Sequence, residues 1–317
     1  APGAQRSGNF GIGSRDMGRA GQMALDRAAT AGGVSFSTAA TNADRWNDFT
    51  SWAREQGIKR MEDVTPEAVR DYGLQLATRV EDGQLAASTA QNRVSAVNSV
   101  MGMATRGEWR SVSPTKECGI QERCAVREDA PGALDRAAYG QALAAVREQV
   151  GERAAATVEL ARELGLRSKE ASLLDARSAL HEALQRGAVT ISDGTKGGRE
   201  REISITSPVQ VQALERAAHA QGDAIAVMPP GDDWRSWREG ELREAREVVQ
   251  EHTGGGLHDL RAAYACGRYE ALTGHAAPCA GGTINDRAAD LVARLKISEE
   301  LGHGRAEVVA EYVGGRR

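Results

Sequence analysis

Cysteine and aromatic residues are both scarce in this sequence. Aromatic residues make up 4% of the 317 residues, and there are only four cysteines. These are Cys118, Cys124, Cys266 and Cys279. They form no CxxC pair, and the six histidines form no HExxH motif. Such spacing argues against a zinc site or a disulfide framework and favours a reducing cytosol. We therefore expect neither a metal nor another cofactor.

Long apolar runs are absent as well. No stretch approaches the roughly 18 residues that a membrane-spanning helix needs. The first residues lack the apolar segment of a secretory signal. Hydrophobic residues at 41% and charged residues at 26% are typical of a globular protein. We expect a cytoplasmic protein without membrane contact, and the length allows two domains.

The sequence has no excess of basic charge, and few of its basic residues are lysines. Its 40 Lys and Arg stand against 44 Asp and Glu, for a net charge of -4. Proteins that bind nucleic acid usually carry a basic patch, so the total argues against DNA, although it does not show how charge is distributed. Only five residues are lysine: Lys59, Lys116, Lys169, Lys196 and Lys296. In so arginine-rich a chain, a lysine at a particular position suggests a role that needs the chemistry of an ammonium group.

Periodicity and composition divide the chain into four parts. Residues 1–34 are rich in Gly, Ala and Ser and are predicted to form a partly flexible N-terminal arm, in which residues 15–31 are able to form a short helix. Residues 35–106 show helical spacing, with Trp46, Phe49 and Trp52 on one apolar stripe that we assign to a core. Together these features predict a small helical domain after the arm.

The second half of the chain also reads as mostly helical. Residues 107–132 contain two prolines and no sustained period, which predicts a linker. Residues 133–317 are predicted to form a second domain. Its one β region pairs 188–192 with 202–206, where apolar and polar residues alternate on either side of a turn. The expected fold is mainly α with a small antiparallel β-sheet.

Five short segments carry residues suited to phosphate chemistry. In chain order they are Glu163-Leu-Gly-Leu-Arg167-Ser-Lys-Glu170, Thr195-Lys196-Gly-Gly-Arg199, Gly256-Leu-His258-Asp-Leu-Arg261, Leu301-Gly-His303, and Tyr312. Each segment alone is a weak signal, because short patterns containing arginine arise often by chance in such a chain. Their order, and the nine residues from His303 to Tyr312, make the combined pattern specific.

This ordered set resembles the tyrosine recombinase (phage integrase) family, over roughly residues 36–313. The resemblance implies a helical, SAM-like core-binding domain followed by a mixed α+β catalytic domain. It implies a bacterial, nucleoid-associated enzyme that cuts and rejoins double-stranded DNA at specific recombination sites. The enzyme is expected to act as a tetramer on DNA, and the resemblance leaves room for an accessory DNA-bending protein. Integration or excision of a mobile element is the expected task.

The resemblance also assigns roles to individual residues, and their chemistry supports it. Arg167 and Arg261 are expected to hold the non-bridging phosphate oxygens, because a guanidinium stays cationic and binds in fixed bidentate geometry. Tyr312 is the expected nucleophile and forms a 3′-phosphotyrosine, which conserves the bond energy for religation. His258 and Arg261 lie three residues apart and share a helix face.

The remaining roles concern protons and orientation. Lys196 is the expected general acid for the leaving 5′-oxygen, because an ammonium can release a proton whereas a guanidinium in effect cannot. Arg199 and Arg201 are the alternatives for that role. His303 is expected to donate a hydrogen bond to a phosphate oxygen, and His258 to help take the tyrosine proton.

Glu170 is expected to orient Arg167, as a carboxylate one helical turn away. Two departures from the family pattern leave questions open. Residues 274–286 read as an inserted loop between Arg261 and His303. Tyr312 is followed by only five residues in this sequence. Its positioning is therefore expected to come from the preceding helix, the inserted loop or a neighbouring protomer.

Two other functions remain open at this stage. A type IB-like DNA topoisomerase uses the same chemistry, but acts alone to relax supercoils. A non-catalytic DNA-binding relative would have the fold without the reaction, yet all six chemical residues are present here.

Overall fold

A computed structural model of the chain describes residues 8–122 and 125–316. Cys124, the first seven residues of the predicted arm and part of the predicted linker lie outside the described residues. The chain divides into two compact units, Ala1–Cys124 and Ala125–Arg317. No helix within the described ranges is long and apolar enough to cross a bilayer.

The first unit is a bundle of helices around one core. Its described helices are α1 (Met17–Thr30), α2 (Phe36–Glu55), α3 (Pro66–Glu81) and α4 (Ala87–Ala104), with a 3-10 turn at Met61–Asp63. Trp46 and Phe49 are fully buried and Trp52 packs against them, as the apolar stripe predicts. The Trp46 indole N–H donates to the Met17 carbonyl at 3.0 Å, which ties α2 to α1.

The described part of the predicted arm belongs to this bundle. Met17 and Leu25 of α1 are 1% and 0% exposed. Gly21 lies directly against Trp46, because a Cβ atom there would fall 2.0 Å from the indole nitrogen. The small residues that suggested an arm instead allow close approach of a helix to a large ring. Residues 8–34 are thus an integral part of the first unit.

The predicted linker is also partly absorbed into the first unit. Val112, Cys118 and Ile120 are at most 2% exposed and join the same core. The Asn98 side chain of α4 donates to the Val112 carbonyl at 2.8 Å and accepts from its N–H at 3.0 Å. Irregular backbone of this kind leaves no periodic signal in a sequence, although it buries apolar side chains. The division between the units falls after residue 124, rather than across the whole of 107–132.

The second unit combines ten helices with one hairpin among the described residues. The helices are α5 (Arg136–Gln149), α6 (Glu152–Glu163), α7 (Ser168–Leu173), α8 (Ala176–Arg186), α9 (Pro208–Gln221), α10 (Trp234–Glu239), α11 (Glu241–Thr253), α12 (Leu257–Thr273), α13 (Arg287–Glu300) and α14 (Ala310–Val313). The 3-10 turns are Gly132–Leu134, Lys196–Gly198, Pro278–Ala280 and Ala306–Val309. Strands β1 (Ala188–Ile191) and β2 (Arg201–Ser204) pair antiparallel. The mainly α fold with a small antiparallel sheet is confirmed.

Helix α12 lies between two of the cores of the second unit. Its Leu260 and Ala263 pack into the core formed with α5, α6 and α11. Ala262, Ala265 and Cys266 pack into another core that includes residues of α13 and α14. A helix that is apolar nearly all round must be buried. A charged residue on such a helix needs partners close by, and this is the setting of Arg261.

Candidate active site

Arg167 occupies the junction between α6 and α7. It is the N-cap of α7, with extended backbone, and its side chain is 25% exposed. Glu170, which is fully buried, accepts from the Arg167 backbone N–H at 2.7 Å and from its Nη1 at 2.8 Å. One carboxylate therefore caps the helix and fixes the guanidinium. The orienting role of Glu170 stays a prediction, and these contacts are the ones that it requires.

Arg201 of β2 also binds Glu170, through two parallel hydrogen bonds. Its Nη1 and Nη2 donate to the Glu170 carboxylate at 2.9 and 2.7 Å. Its Nε donates to the Glu300 carbonyl at 2.7 Å, at the end of α13. Burial opposes ionisation of Glu170, but the hydrogen bonds and charge of Arg201, with those of Arg167, outweigh it and lower the pKa of Glu170. Arg201 thus joins α7, the hairpin and the end of α13.

Lys196 lies at the turn of the hairpin. It begins the 3-10 turn Lys196–Gly198, in which Gly197 and Gly198 have φ values of +76° and +68°. Those left-handed conformations favour glycine, which explains the Gly-Gly sequence after the lysine. The Lys196 side chain is exposed, whereas that of Arg201 is 5% exposed and engaged with Glu170. Because Arg201 is buried and bonded to Glu170, it is not available to protonate the leaving oxygen. Arg199 remains the alternative to Lys196 as the general acid.

Arg261 projects from α12 and is 1% exposed. Its Nη1 donates to the Gly165 carbonyl at 2.5 Å, and its Nη2 donates to the Leu301 carbonyl. Its Nε lies 3.4 Å from the Tyr312 hydroxyl. Burial lowers the pKa of Arg261 to about 10, so the group stays cationic at neutral pH. Both terminal nitrogens therefore bind backbone carbonyls, which differs from the expected two-oxygen clamp on phosphate.

His258 lies one turn before Arg261 on α12, as the spacing predicts. Its ring centroid is 5.4 Å from that of Tyr312. Burial, followed by the positive charges of Arg261, Arg127 and Arg167, lowers the pKa of His258. The imidazole is therefore neutral at pH 7 and able to accept a proton.

His303 makes the direct contact with the tyrosine. Its Nε2 is 3.0 Å from the Tyr312 hydroxyl and 3.4 Å from Arg261 Nη2. Burial, followed by the charges of Arg261 and Arg167, lowers the pKa of His303 to about 4. The sequence assigned the phenol proton to His258 and a phosphate contact to His303. The structure instead places a neutral His303 at hydrogen-bond distance from the phenol.

The chemical residues border one cavity of about 830 Å³. Arg167, Lys196, His258, His303 and Tyr312 all line it. Arg199 and Arg305 add positive charge to the wall, and Glu311 is its one carboxylate among the described residues. The cavity is thus locally basic, although the chain as a whole is slightly acidic. Arg261 lies behind the wall, in contact with Tyr312.

The backbone around Tyr312 is held by residues of the same chain. Arg127 donates its backbone N–H to the Ala310 carbonyl at 2.9 Å. The buried Arg294 of α13 donates to the Gly314 carbonyl at 2.9 Å. Cys279, from the segment predicted as an inserted loop, packs with Tyr312 and Val313. Helix α13, the 274–286 segment and the start of the second unit therefore all contribute to the positioning of Tyr312.

Sequence reasoning missed several residues that shape this site. Arg294 and Glu300 hold the last helices, and Arg305 lines the cavity. Glu300 accepts from the Tyr264 hydroxyl at 2.9 Å and from Arg268 Nε at 3.0 Å. No short motif signals these contacts, because their partners are 20 or more residues away in the chain. Of these residues, only Arg305 could have been suspected from the sequence, because it lies two residues after His303.

Comparison with known proteins bears on both sequence and fold. The family model described as Integrase matches residues 121–267, which include Arg167, Lys196, His258 and Arg261. No curated protein sequence matches the chain. Among solved structures, the Tn1549 transposon integrase in complex with transposon right end DNA aligns with a TM-score of 0.60 at 11% identity, covering 93% of this chain and 94% of that one. The chain has the tyrosine recombinase fold.

Two other structures share this recombinase fold. The XerH site-specific recombinase, bound to a palindromic difH substrate, aligns with a TM-score of 0.58 at 15% identity, over 94% of this chain and 81% of that one. A lambda integrase dimer bound to a COC' core site aligns with a TM-score of 0.54 at 15% identity, over 93% and 76%. At these identities the similarity describes the fold, so roles for individual residues must come from the site itself.

Proposed function

We propose that this chain is a site-specific DNA recombinase that cleaves and rejoins DNA through a 3′-phosphotyrosine at Tyr312. One observation carries the proposal: residues from five separate segments converge on one basic cavity, with the Tyr312 phenol between His303 and Arg261. The cavity wall offers cations for a phosphate, and neutral imidazoles for a proton. Integration or excision of a mobile element is the proposed task.

Phosphate binding is assigned to the two arginines and the residues around them. Arg167 presents a partly exposed guanidinium to the cavity, held in place by Glu170. Arg261 contributes a buried positive charge beside the phenol, which stabilises both a phenolate and the charge that develops on the phosphate. Preorganised charges of this kind need no rearrangement during the reaction. His258 lines the same wall and is assigned a hydrogen bond to the phosphate.

Proton transfer is assigned to His303 and Lys196. His303 is neutral and 3.0 Å from the Tyr312 hydroxyl, so it is the proposed acceptor of the phenol proton. This reverses the roles that the sequence suggested for His303 and His258. Lys196, on the exposed hairpin turn, is the proposed donor of a proton to the leaving 5′-oxygen. A tyrosine attack with a separate acid needs no metal.

Double-stranded DNA is the proposed partner, and a homotetramer on two sites is the proposed assembly. Solved neighbours of this fold include a lambda integrase tetramer bound to a Holliday junction. The proposal includes action at the nucleoid and leaves room for an accessory DNA-bending protein. Assembly on paired sites separates this function from that of a topoisomerase, which would relax supercoiled plasmid as a monomer on any sequence.

The central experiment asks whether Tyr312 becomes linked to DNA. The full chain is incubated with a pool of nicked duplexes of randomised sequence, in which cleavage releases a short strand and traps the adduct. Denaturing washes and sequencing then recover the covalently bound DNA. The parent protein is expected to yield an enriched sequence, and Tyr312→Phe to yield none. Tyr269→Phe, which alters a tyrosine remote from the cavity wall, is the matched control.

The outcome for Tyr312→Phe decides the proposal. A covalent adduct that persists in this variant, or a parent protein that forms none with any duplex, would contradict it. Peptide mapping of the adduct should identify the peptide that contains Tyr312.

The role of Lys196 has its own test on the enriched site. A substrate whose 5′-bridging oxygen is replaced by sulfur has a leaving group that needs no protonation. Lys196→Ala is expected to fail on the oxygen substrate and to recover cleavage on the sulfur substrate. Arg199→Ala, measured in parallel, is expected to show no such selective recovery. If cleavage of the sulfur substrate recovers in Arg199→Ala and not in Lys196→Ala, the general acid is Arg199 and the assignment to Lys196 is wrong.

A further inference from the structure

The cysteines that the sequence left without a role include one close pair. Cys266 of α12 and Cys279 of the 274–286 segment bring their sulfur atoms to 3.6 Å. They are 2% and 8% exposed. Both are free thiols in this structure. Thirteen residues separate them in sequence, so the packing of the inserted segment against α12 creates the pair.

The same two sulfurs contact the backbone of the proposed nucleophile. Cys266 Sγ lies 3.4 Å and Cys279 Sγ 3.5 Å from the Tyr312 carbonyl oxygen, so either thiol can donate its one hydrogen to that carbonyl. Gly314, two residues later, packs against Cys279, because a Cβ atom there would fall 2.7 Å from the Cys279 nitrogen. The two cysteines therefore contact the backbone of the short segment that carries Tyr312, at the Tyr312 carbonyl and at Gly314.

We propose that Cys266 and Cys279 form a reversible, peroxide-sensitive disulfide that displaces the Tyr312 segment. The consequence for DNA cleavage rests on the function proposed above, whereas the disulfide and the displacement do not. A disulfide requires the sulfurs to approach to about 2.05 Å, so α12 and the 274–286 segment must shift toward each other. The oxidised pair also has no S–H to donate. The buried Tyr312 carbonyl then loses its thiol hydrogen-bond donor, which is unfavourable.

The reaction balances with hydrogen peroxide as the oxidant. The Cys279 thiolate attacks one peroxide oxygen, an S–O bond forms, the O–O bond breaks, and water leaves after protonation. The Cys266 sulfur then attacks the resulting sulfenic acid, the S–S bond forms, and the S–O oxygen leaves as a second water. Two thiols are oxidised by two electrons and one peroxide is reduced. A dithiol reverses the step by thiol–disulfide exchange.

The surroundings of the pair favour Cys279 as the attacking thiol. The hydrogen bond with Cys266 lowers the pKa of Cys279, and the charges of Arg127 and Arg294 act in the same direction against its burial. The hydrogen bond with Cys279, followed by burial, raises the pKa of Cys266. One thiol with a lowered pKa beside one with a raised pKa is the usual arrangement of an attacking and a resolving cysteine.

The first test measures the bond and the displacement without DNA. The full chain is treated with hydrogen peroxide, and intact mass, free-thiol count and peptide mapping are compared before and after dithiothreitol. We expect loss of two hydrogen atoms, a cross-linked peptide pair containing Cys266 and Cys279, and full reversal. Amide hydrogen exchange should become faster in residues 306–316 of the oxidised protein. Cys118→Ala, which removes a buried thiol of the other unit, should behave as the parent does.

The second test measures DNA adduct formation in the same samples. Oxidation is expected to slow adduct formation by about a hundredfold, the scale of a misplacement near 1 Å, and dithiothreitol to restore it. In Cys266→Ser and Cys279→Ser the rate of each variant should not change when peroxide is added. Serine keeps a hydrogen-bond donor to the Tyr312 carbonyl but cannot form the disulfide.

The outcomes separate this proposal from the proposed function. Absence of the cross-linked peptide, or unchanged exchange at 306–316 in the oxidised protein, would overturn the disulfide proposal even if the reduced protein cleaves DNA. A reduced protein that forms no DNA adduct would overturn the proposed function, while the mass and exchange results still decide the disulfide. A cross-link that leaves cleavage unaffected would also overturn the proposed regulation.

Discussion

At the scale of single residues, the site depends on charges that are buried and paired. Glu170 is fully buried and binds both Arg167 and Arg201, while Arg261 is surrounded by backbone carbonyls and the phenol. Removal of one partner from such a group leaves an uncompensated buried charge. His258 and His303 differ from these charged groups, because burial and neighbouring cations lower the pKa of each imidazole and favour its neutral form.

The histidine at position 303 should make stability depend on pH. Its pKa falls from 6.5 to about 4 on folding, so between these values the unfolded chain binds a proton that the folded chain does not. The associated stability is complete above about pH 6.5 and is lost as the pH falls toward 4. In His303→Asn, the free energy of unfolding measured in urea should decrease less from pH 7 to pH 5 than in the parent.

His219→Asn is the control for that measurement, because His219 is exposed on α9. The His219→Asn variant shows the effect of losing an exposed histidine, so any further effect in His303→Asn belongs to the buried site. An equally steep decrease in the parent and in His303→Asn would show that His303 is protonated equally in both states.

Arg201 should matter for stability although it does not line the cavity. Arg201→Met leaves the buried Glu170 with hydrogen bonds from Arg167 alone, while Arg261 Nη1 lies 3.9 Å from its Oε2. We expect the free energy of unfolding to fall by about 3 kcal/mol. Arg199→Met, two residues earlier and exposed, should change it by less than about 0.5 kcal/mol. Chemical denaturation of both variants provides the measurement. Equal effects of the two substitutions would mean that the Arg201–Glu170 pair does not stabilise the fold.

At the scale of elements, short connections place the reactive groups. Gly165, between α6 and α7, has φ +66° and directs the chain from a helix end to Arg167. Its carbonyl accepts from Arg261, so this turn also links α12 to α7. The hairpin turn places Lys196 in the same way. Each connection is only a few residues long, which limits the positions that its side chains can reach.

Two glycines with nearly equal backbone angles allow a matched prediction for these turns. Gly187 has φ +65° and open space around it, whereas a Cβ at Gly165 would fall 2.4 Å from the Tyr264 ring. Gly187→Ala should cost about 1 kcal/mol from left-handed strain alone. Gly165→Ala adds a steric clash and should cost about 3 kcal/mol or more. Denaturant unfolding of both variants tests this, and similar losses would mean that the Tyr264 ring moves aside freely.

At the scale of the whole molecule, the chain consists of two units with separate cores. The first core contains residues from Ile12 to Ile120, and the described cores of the second unit begin at Ala133. All of the proposed chemical residues belong to the second unit. The first unit contributes a helical bundle whose core contains Trp46 and Phe49.

Separate cores predict that each unit folds by itself. A fragment of residues 125–317 should unfold cooperatively in denaturant, with a far-ultraviolet spectrum of a helical protein. A fragment of residues 1–124 should do the same. A gradual, non-cooperative transition in either fragment would show that its core is incomplete without the other half.

Local sequence patterns were sufficient to predict part of this molecule. The hairpin followed from the alternation of its residues, and the shared helix face of His258 and Arg261 followed from their spacing. Neighbours on one helix face or across a short turn are set by local geometry. Gly-Gly after Lys196 likewise signalled a tight turn. The short helix expected at residues 15–31 corresponds to α1, but the arm prediction for residues 1–34 did not anticipate how that helix packs. Small residues that suggest flexibility also allow close packing against Trp46.

The sequence by itself determined which chemical groups are present and in what order, namely Arg167, Lys196, His258 with Arg261, His303 and Tyr312. Only the tertiary structure decided how they are partnered. It gave the phenol contact to His303, engaged Arg261 with two backbone carbonyls, and brought Cys266 within 3.6 Å of Cys279. The physical reason is range: spacing along a chain fixes neighbours within a turn or two of helix, whereas contacts between distant segments depend on how the cores pack.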